Sequence, residues 1–397
     1  MEWRRVIGDV GLKRRYGAMS AGEVLHEQQC LIAVSLLFAA AGDADNPEEE
    51  EDLEIAGALI AAEVMIARVD GTVIRSVRGR PLMIDDIVEQ EAWGDFRFRK
   101  GDIRRLFTVL QIPHMWICKN KSRLPGETAL LLLLRRLRYP GRLSDLEKEF
   151  GREYTQLARL FREVIDFMCE EHTHRITAFL GYWEPLFETM AGVIATKGGV
   201  GVAGSDICGF LDGTLNRTCR QGGHDDLQRE NYDGHHRAHG LSFQSVVLPN
   251  GMIEDLWGPA PGRRHDSFLL RESGLNSRLA ALQADKPFQG KVYGDAAYPV
   301  LSHVDRGFRG ANLTAAQRAY NKELSRVRIS VEWQFGKIVQ IFPFVDFKQN
   351  LKLMLSPVGK YYRVAALLTN AHTTCYGCNT SKYFGMLPPT LEQYFES

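Results

Sequence analysis

Two short apolar runs in this chain end on an aspartate, and that arrangement restricts the fold more than any other feature. Residues 207–211 run into Asp212 in Phe210-Leu211-Asp212-Gly213-Thr214, and Lys291-Val292-Tyr293-Gly294-Asp295 does the same. Apolar runs of this length, bounded by turn residues, read as buried strands. A carboxylate there is unfavourable unless water, a hydrogen bond or a metal ion meets it. Between the two, 241–248 and 252–257 flank Pro249-Asn250-Gly251, a hairpin signal. From 314 to 341 the spacing is helical, with Val331, Phe335, Ile338 and Phe342 on one face and Glu332 beside that stripe. Strands followed by a long helix predict an α/β domain with a mixed sheet.

Each acidic residue has a plain structural reading. Strand-end aspartates are common turn residues. Glu332 has Arg328 one helical turn before it, the weaker order for an ion pair. The chemical reading gathers all three. Mg²⁺ favours carboxylate oxygens and leaves positions open for phosphate and water. Two such ions about 3.5–4 Å apart activate a water and stabilise the leaving oxygen in phosphodiester cleavage.

Residues 81–185 read as all-helical. Pro125-Gly126-Glu127 opens a helix that stops at Tyr139-Pro140-Gly141, and Ser144-Asp145-Leu146-Glu147 has the form of a capping box. A short helix to Gly151 then precedes a longer one carrying Leu157, Leu160, Phe161, Val164, Ile165 and Met168. That order is helix-turn-helix grammar, shared by many ordinary helical bundles.

Lys+Arg and Asp+Glu number 49 each, so an evenly basic surface is excluded. The balance is local. Residues 43–54 hold 8 acidic side chains, and 97–142 hold 12 basic against 2 acidic. The second segment is a candidate phosphate-contacting region, with Arg97, Arg99, Arg104, Arg105, Arg135 and Arg136 as its candidates. A solvated surface is the alternative. The 7 cysteines are odd in number and scattered, which fits a reducing compartment. The apolar run 30–41 is far shorter than the ~20 residues of a membrane span and reads as a buried helix.

Three patterns are set aside. Gly199-Val200-Gly201-Val202-Ala203-Gly204 has dinucleotide-fingerprint spacing, but its approach is helix-like and its sequel strand-like. His372, Cys375 and Cys378 lack a fourth zinc ligand. His224, His235, His236 and His239 crowd one loop-rich stretch, where solvated histidines outweigh phosphate or metal contacts.

Asp212, Asp295 and Glu332 lie 83 and 37 residues apart in sequence. The second spacing resembles that of DDE transposases. "FLDGT", "NYDGHHRAHGLSFQSVVLPNG", "GPAPGRRHDSFLL", "GDAAYP", "VEWQFG" and "YRVAALLTNAH" are similar to the PIF/Harbinger transposases and the Harbinger transposase-derived nucleases. The upstream "LLLLRRLRYPGRLSDLEKEFG" resembles that family's helix-turn-helix region, and the likeness covers about 97–375. It implies an RNase H-like catalytic domain over 186–375 with a mixed five-stranded sheet. Before it would stand an all-α helix-turn-helix DNA-binding region over 81–185 and a helical region of unknown role over 1–80; 376–397 would be a tail. Asp212, Asp295 and Glu332 match the catalytic, metal-binding triad, implying two Mg²⁺ or Mn²⁺ ions. His265-Asp266 matches a recurrent element, either auxiliary to the site or a structural turn. Asp295 is followed by Ala296-Ala297, where the family often has a glycine-containing turn.

The implied activity is DNA cleavage and strand transfer on terminal-repeat and target DNA. A Myb-like DNA-binding partner would assist entry to the nucleus, with some protein in the cytoplasm, a possible homo-oligomer and no membrane. Two other readings stay open: a domesticated DNA-binding or scaffold protein without turnover, and a nuclease without strand transfer.

Overall fold

A run of seven consecutive residues, Ala129 to Arg135, holds six apolar side chains that are wholly buried. They lie in a helix enclosed on nearly every side, which places the helical part of the chain at the centre rather than at a margin. The structure, a computed structural model, describes residues 79–177, 180–198, 206–222 and 225–396. Nearly all of the expected 1–80 region, the glycine run 199–204 and His224 lie outside the described residues.

The described chain opens with α1 (Glu89–Phe96) and α2 (Lys100–Val109). Then comes an antiparallel pair, β1 (Met115–Ile117) with β2 (Arg123–Pro125), joined by a turn in which Lys121 has positive φ. The segment 81–185 is therefore not all-α: Met115-Trp116-Ile117 alternates exposed and buried side chains, the period of a strand. The buried helix is α3 (Gly126–Arg138), followed by a 3₁₀ turn over Leu143–Leu146, α4 (Glu147–Phe150) and α5 (Tyr154–His172). The capping box expected at Ser144 does not form. Ser144 sits inside the 3₁₀ turn, and the Glu147 carboxylate instead accepts a hydrogen bond from the Tyr154 backbone N–H, 2.8 Å away at the start of α5. The expected apolar face of α5 is buried in full. Two further helices, α6 (Leu180–Trp183) and α7 (Phe187–Gly198), lead to the sheet.

The sheet is built from β3 (Ile207–Arg217), β5 (Ala238–Val247), β6 (Ile253–Pro261), β7 (Lys291–Gly294) and β8 (Val304–Arg306), in the order β6-β5-β3-β7-β8. The helix α8 (Asp225–Asn231) and the short strand β4 (Tyr232–Asp233) precede β5, and β4 pairs with its first residues. β3 pairs antiparallel with β5, and β5 with β6; β3 pairs parallel with β7, and β7 with β8. The expected mixed sheet is present, with β4 as a sixth strand. The hairpin turn carries Gly251 at φ 82°, and the Asn250 side chain accepts the Met252 N–H. The helices α9 (Asp266–Ser273) and α10 (Leu275–Gln283) pass from β6 to β7. Arg278 of α10 makes a two-pronged bond to the buried carboxylate of Asp255 on β6, both contacts 2.9 Å.

After β8, α11 (Ala315–Ile341) runs for 27 residues, about 40 Å. Thr314 caps it through a box with Gln317, which fixes the start that the sequence pattern points to. The last helices are α12 (Val358–Tyr376), α13 (Asn379–Phe384) and α14 (Leu391–Glu396). The expected tail over 376–397 contributes to the core through Leu391, Tyr394 and Phe395, which are buried. Leu130 of α3, Val164 of α5, Phe243 of β5 and Val364 of α12 belong to one continuous apolar cluster, so helical segment and sheet share a core. Among the described residues no helix is long and apolar enough to cross a membrane.

One buried amide ties the C-terminal helices to the sheet. Asn370 of α12 accepts the Ile253 N–H at 2.9 Å and donates to the Ile253 carbonyl at 2.7 Å and the Tyr394 hydroxyl at 2.9 Å. Asn370→Ala removes the partner of the Ile253 N–H and carbonyl in a dry interior. The expected loss is about 2–4 kcal/mol of unfolding free energy in urea denaturation, and a loss below about 0.5 kcal/mol would refute this role.

Candidate active site

The geometry begins with a mismatch in pairing along β3. Its parallel partner β7 is matched as far as Phe210 and Tyr293, while its antiparallel partner β5 follows it to Arg217. Asp212 therefore does not end its strand, as the apolar run suggests; it ends the part of β3 that has neighbours on both sides. Asp295 follows the last residue of β7, and its carboxylate accepts the Ala297 N–H at 2.8 Å. Continuing the register by two residues sets Asp212 and Asp295 side by side at the mouth of a cleft of about 660 Å³.

Glu332 reaches the same cleft from α11. The link is Arg328, one turn earlier on that helix. One guanidinium nitrogen lies 3.1 Å from the Asp212 carboxylate and another 3.5 Å from that of Glu332. The contact to Asp212 is an ion pair without hydrogen-bond alignment, since that Arg328 nitrogen is buried and lacks an aligned acceptor. Glu332 itself is exposed. The three carboxylates line one cleft but are not drawn to a common point. Among the described residues no three His, Cys, Asp or Glu side chains stand close enough to share an ion.

Electrostatics separate their roles. Burial pushes the Asp212 carboxyl up to about 6; the Arg328 guanidinium works against this, and the Asp295 charge adds to it. Burial, and then the charge of Asp295, also raises Asp266. Asp266 opens α9 after His265, and both line the cleft. Gly213 is what admits Asp266: a Cβ there would collide with the Asp266 carboxylate. Tyr298 is fully buried, its hydroxyl has no hydrogen-bond partner, and the charges of Asp266, Asp212 and Asp295 bear on it.

Opposite stands a second acid–base pair. Asp233 accepts the His236 ring N–H at 2.9 Å through one oxygen and the backbone N–H groups of His235 and His236 through the other. Burial opposes its charge, but these hydrogen bonds outweigh that and hold its carboxyl below the usual range. His235 and His236 line the cleft; His239 lies against Tyr232, with ring centres 5.2 Å apart. The sequence singled out these histidines only as a crowded loop. Asp233 and Tyr298 lie within the segments "NYDGHHRAHGLSFQSVVLPNG" and "GDAAYP", but nothing in those segments singles them out as site residues.

The donor set suits a hard divalent cation: carboxylates of Asp212, Asp295 and Glu332, with Asp266 near, and no thiol among the lining residues. His372 packs against Tyr376 and Trp93, with centres 4.7 and 5.4 Å away, and the Cys378 sulfur accepts the Ser381 N–H as the cap of α13.

Most of the candidate DNA-binding arginines have partners within the chain. Arg105 makes a two-pronged pair with Glu392, both contacts 2.8 Å, and Arg104 pairs with Asp85. Arg135 bonds Glu149 at 3.0 Å. Arg136 is buried over the Phe344 ring and donates to the carbonyls of Tyr139 and Gly141. Arg99 lies near the Tyr376 ring. Arg97 lines a separate pocket.

Residues 211–370 match the family model of the DDE superfamily endonucleases. The matched segment begins one residue before Asp212 and contains Asp295 and Glu332. Over 108 residues the chain is 32% identical to a probable transposase for insertion sequence element IS702 from Microchaete diplosiphon, covering 26% of this chain and 37% of that protein. The chain thus spans little more than a third of the length of the curated relative it matches. No solved structure matches.

The raised Asp212 carboxyl has a consequence for stability. A folded pKa above the unfolded one means that the fold favours the protonated form. This contribution is fully present below about pH 4 and is lost as pH rises through about 6. In metal-free buffer at pH 7, Asp212→Asn is expected to raise Tm by about 2–6 °C, a gain that vanishes below about pH 4. An equal or lower Tm at pH 7 would show that Arg328 already compensates the charge.

Proposed function

We propose that this chain is a metal-dependent DNA endonuclease and strand-transfer enzyme of the Harbinger type, a transposase with an RNase H-like catalytic domain. The observation that carries this is the joint presence of Asp212, Asp295 and Glu332 in one cleft, within the segment that matches the endonuclease family. The strand order β6-β5-β3-β7-β8, with its antiparallel and parallel halves, supports the RNase H-like reading. The short helix, glycine turn and long helix α5 support a helix-turn-helix.

Asp212, Asp295 and Glu332 would hold two Mg²⁺ or Mn²⁺ ions through their carboxylate oxygens. When bound, such ions polarise the scissile phosphate and activate water for in-line attack. The protein's own part is arrangement. The strand pair fixes Asp212 and Asp295, and the turn after Asp295 orients its carboxylate through the Ala297 N–H. α11 carries Glu332 to the same cleft, and Arg328 would have to release Asp212 for that carboxylate to hold a cation. Hydrolysis frees a 3′-hydroxyl, whose oxygen then attacks a target phosphate and displaces the target's own 3′-oxygen. A Myb-like DNA-binding partner, homo-oligomerisation and nuclear location belong to the same proposal.

One observation favours a second reading, a transposase-derived DNA-binding or scaffold protein without turnover: the Arg328 guanidinium stands 3.1 Å from the Asp212 carboxylate and 3.5 Å from that of Glu332, where a metal ion would have to sit. Cleavage of terminal-repeat DNA decides between them. The enzyme reading expects Mg²⁺-dependent nicking by the wild-type chain. Asp212→Asn, Asp295→Asn and Glu332→Gln should each lower it at least about 10³-fold with folding intact. Mg²⁺ titration by calorimetry that shows no binding, together with no nicking, would establish the second reading.

A further inference from the structure

We propose that a second pocket, on another face of α11, binds a phosphate group of the nucleic-acid strand that passes along this helix. The pocket encloses about 340 Å³ where α1, α11, α12 and α13 meet. Arg97, Lys337 and Lys382 line it with Trp93, Trp333 and His372, and no lining side chain carries a carboxylate. Three cations around one cavity without a counter-charge are unfavourable unless an anion joins them.

The polar groups there are short of acceptors. Lys337 of α11 is half-buried and donates to the Thr373 hydroxyl at 2.8 Å and the Gly377 carbonyl at 3.0 Å. An ammonium has three donors, so one remains for a ligand. The Arg97 Nε is buried with no acceptor, and so is the Nδ1 of His372, a residue only 7% exposed. The crowding of positive charge is felt within the pocket. Burial lowers Lys337 to about 8, and the Lys382 charge adds to that fall. Burial lowers His372 to about 3, assisted by Lys337 and Arg97. His372 is therefore neutral near pH 7 and offers a donor or an acceptor rather than a fourth charge.

Location decides the source of the phosphate. Glu332 of the candidate active site and Lys337 lie five residues apart on one helix, about 7.5 Å along its axis. Trp333, next to Glu332, lines the second pocket. Five residues also turn the helix by roughly 140°, so a strand with its scissile phosphate at the carboxylates would bring a phosphate a few nucleotides away, rather than the next one, to the cations. The aromatic walls of Trp93 and Trp333 suit the sugar-base edge that accompanies it. This inference rests on the nucleic-acid reading above, and it accounts for Arg97 where most of its basic neighbours are paired internally.

The test is binding, not cleavage. A labelled single-stranded oligonucleotide is titrated with the full chain over a range of salt concentrations, for wild type and for Arg97→Gln/Lys382→Gln. Among the described residues neither side chain donates a hydrogen bond, so the fold should survive, whereas Lys337→Gln would disturb α12. Loss of this phosphate contact should weaken affinity about tenfold or more and make the log–log salt slope shallower by about 0.7. Unchanged affinity and slope would overturn the proposal. So would Trp333-dependent fluorescence quenching by inorganic phosphate alone with oligonucleotide binding unaffected, because the pocket would then serve a free anion. Weakened oligonucleotide binding in this variant, even where no variant or wild type cleaves DNA, would support the pocket while the catalytic reading falls.

Discussion

The two partners of β3 end at different places, and much of the structure depends on that. The β7 register ends at Phe210 and Tyr293, and two residues later Asp212 and Asp295 line the cleft. The continuing β5 pairing keeps β3 straight beyond that point, so Gly213 and Thr214 form a rigid floor instead of a flexible loop. Asp266 can then approach across Gly213, and α11 can lie over the gap. The cleft follows from strand lengths, and its chemistry from which residues fall where the lengths differ.

Local signals carried far in this sequence. The Pro249-Asn250-Gly251 hairpin, the apolar face of α5 and the Thr314 start of α11 were legible because each is set by residues within a turn or two of one another. Asp212, Asp295 and Glu332 stood out because charge beside apolar runs is unusual. What escaped was set at long range. The Ser144 box fails because Glu147 finds a better donor in the next helix. Most candidate DNA-binding arginines meet partners elsewhere: Arg105 pairs with Glu392, 287 residues away, and no spacing rule anticipates that. β1 and β2 are three residues each, too short for periodicity to register.

Arg328 shows how one side chain can keep a cluster of acids in a folded chain. Asp212 is buried enough to resist ionisation, and Asp295 and Asp266 stand close enough to oppose it further. A guanidinium held on the adjacent helix lowers that strain without filling the cleft, for it can swing toward solvent on a long stem. Arg328 thus serves the resting protein, and the same position lets it yield to a better cation.

A straight helix neither stretches nor shortens, and α11 joins two sites along its length. B-form backbone advances about 3.4 Å per nucleotide, so the axial offset between Glu332 and Lys337 corresponds to roughly two nucleotides. A strand engaged at both points would be measured against helix geometry, and its cut position would follow from covalent dimensions irrespective of base identity. α11 would then act as a ruler, its spacing setting the register of cleavage.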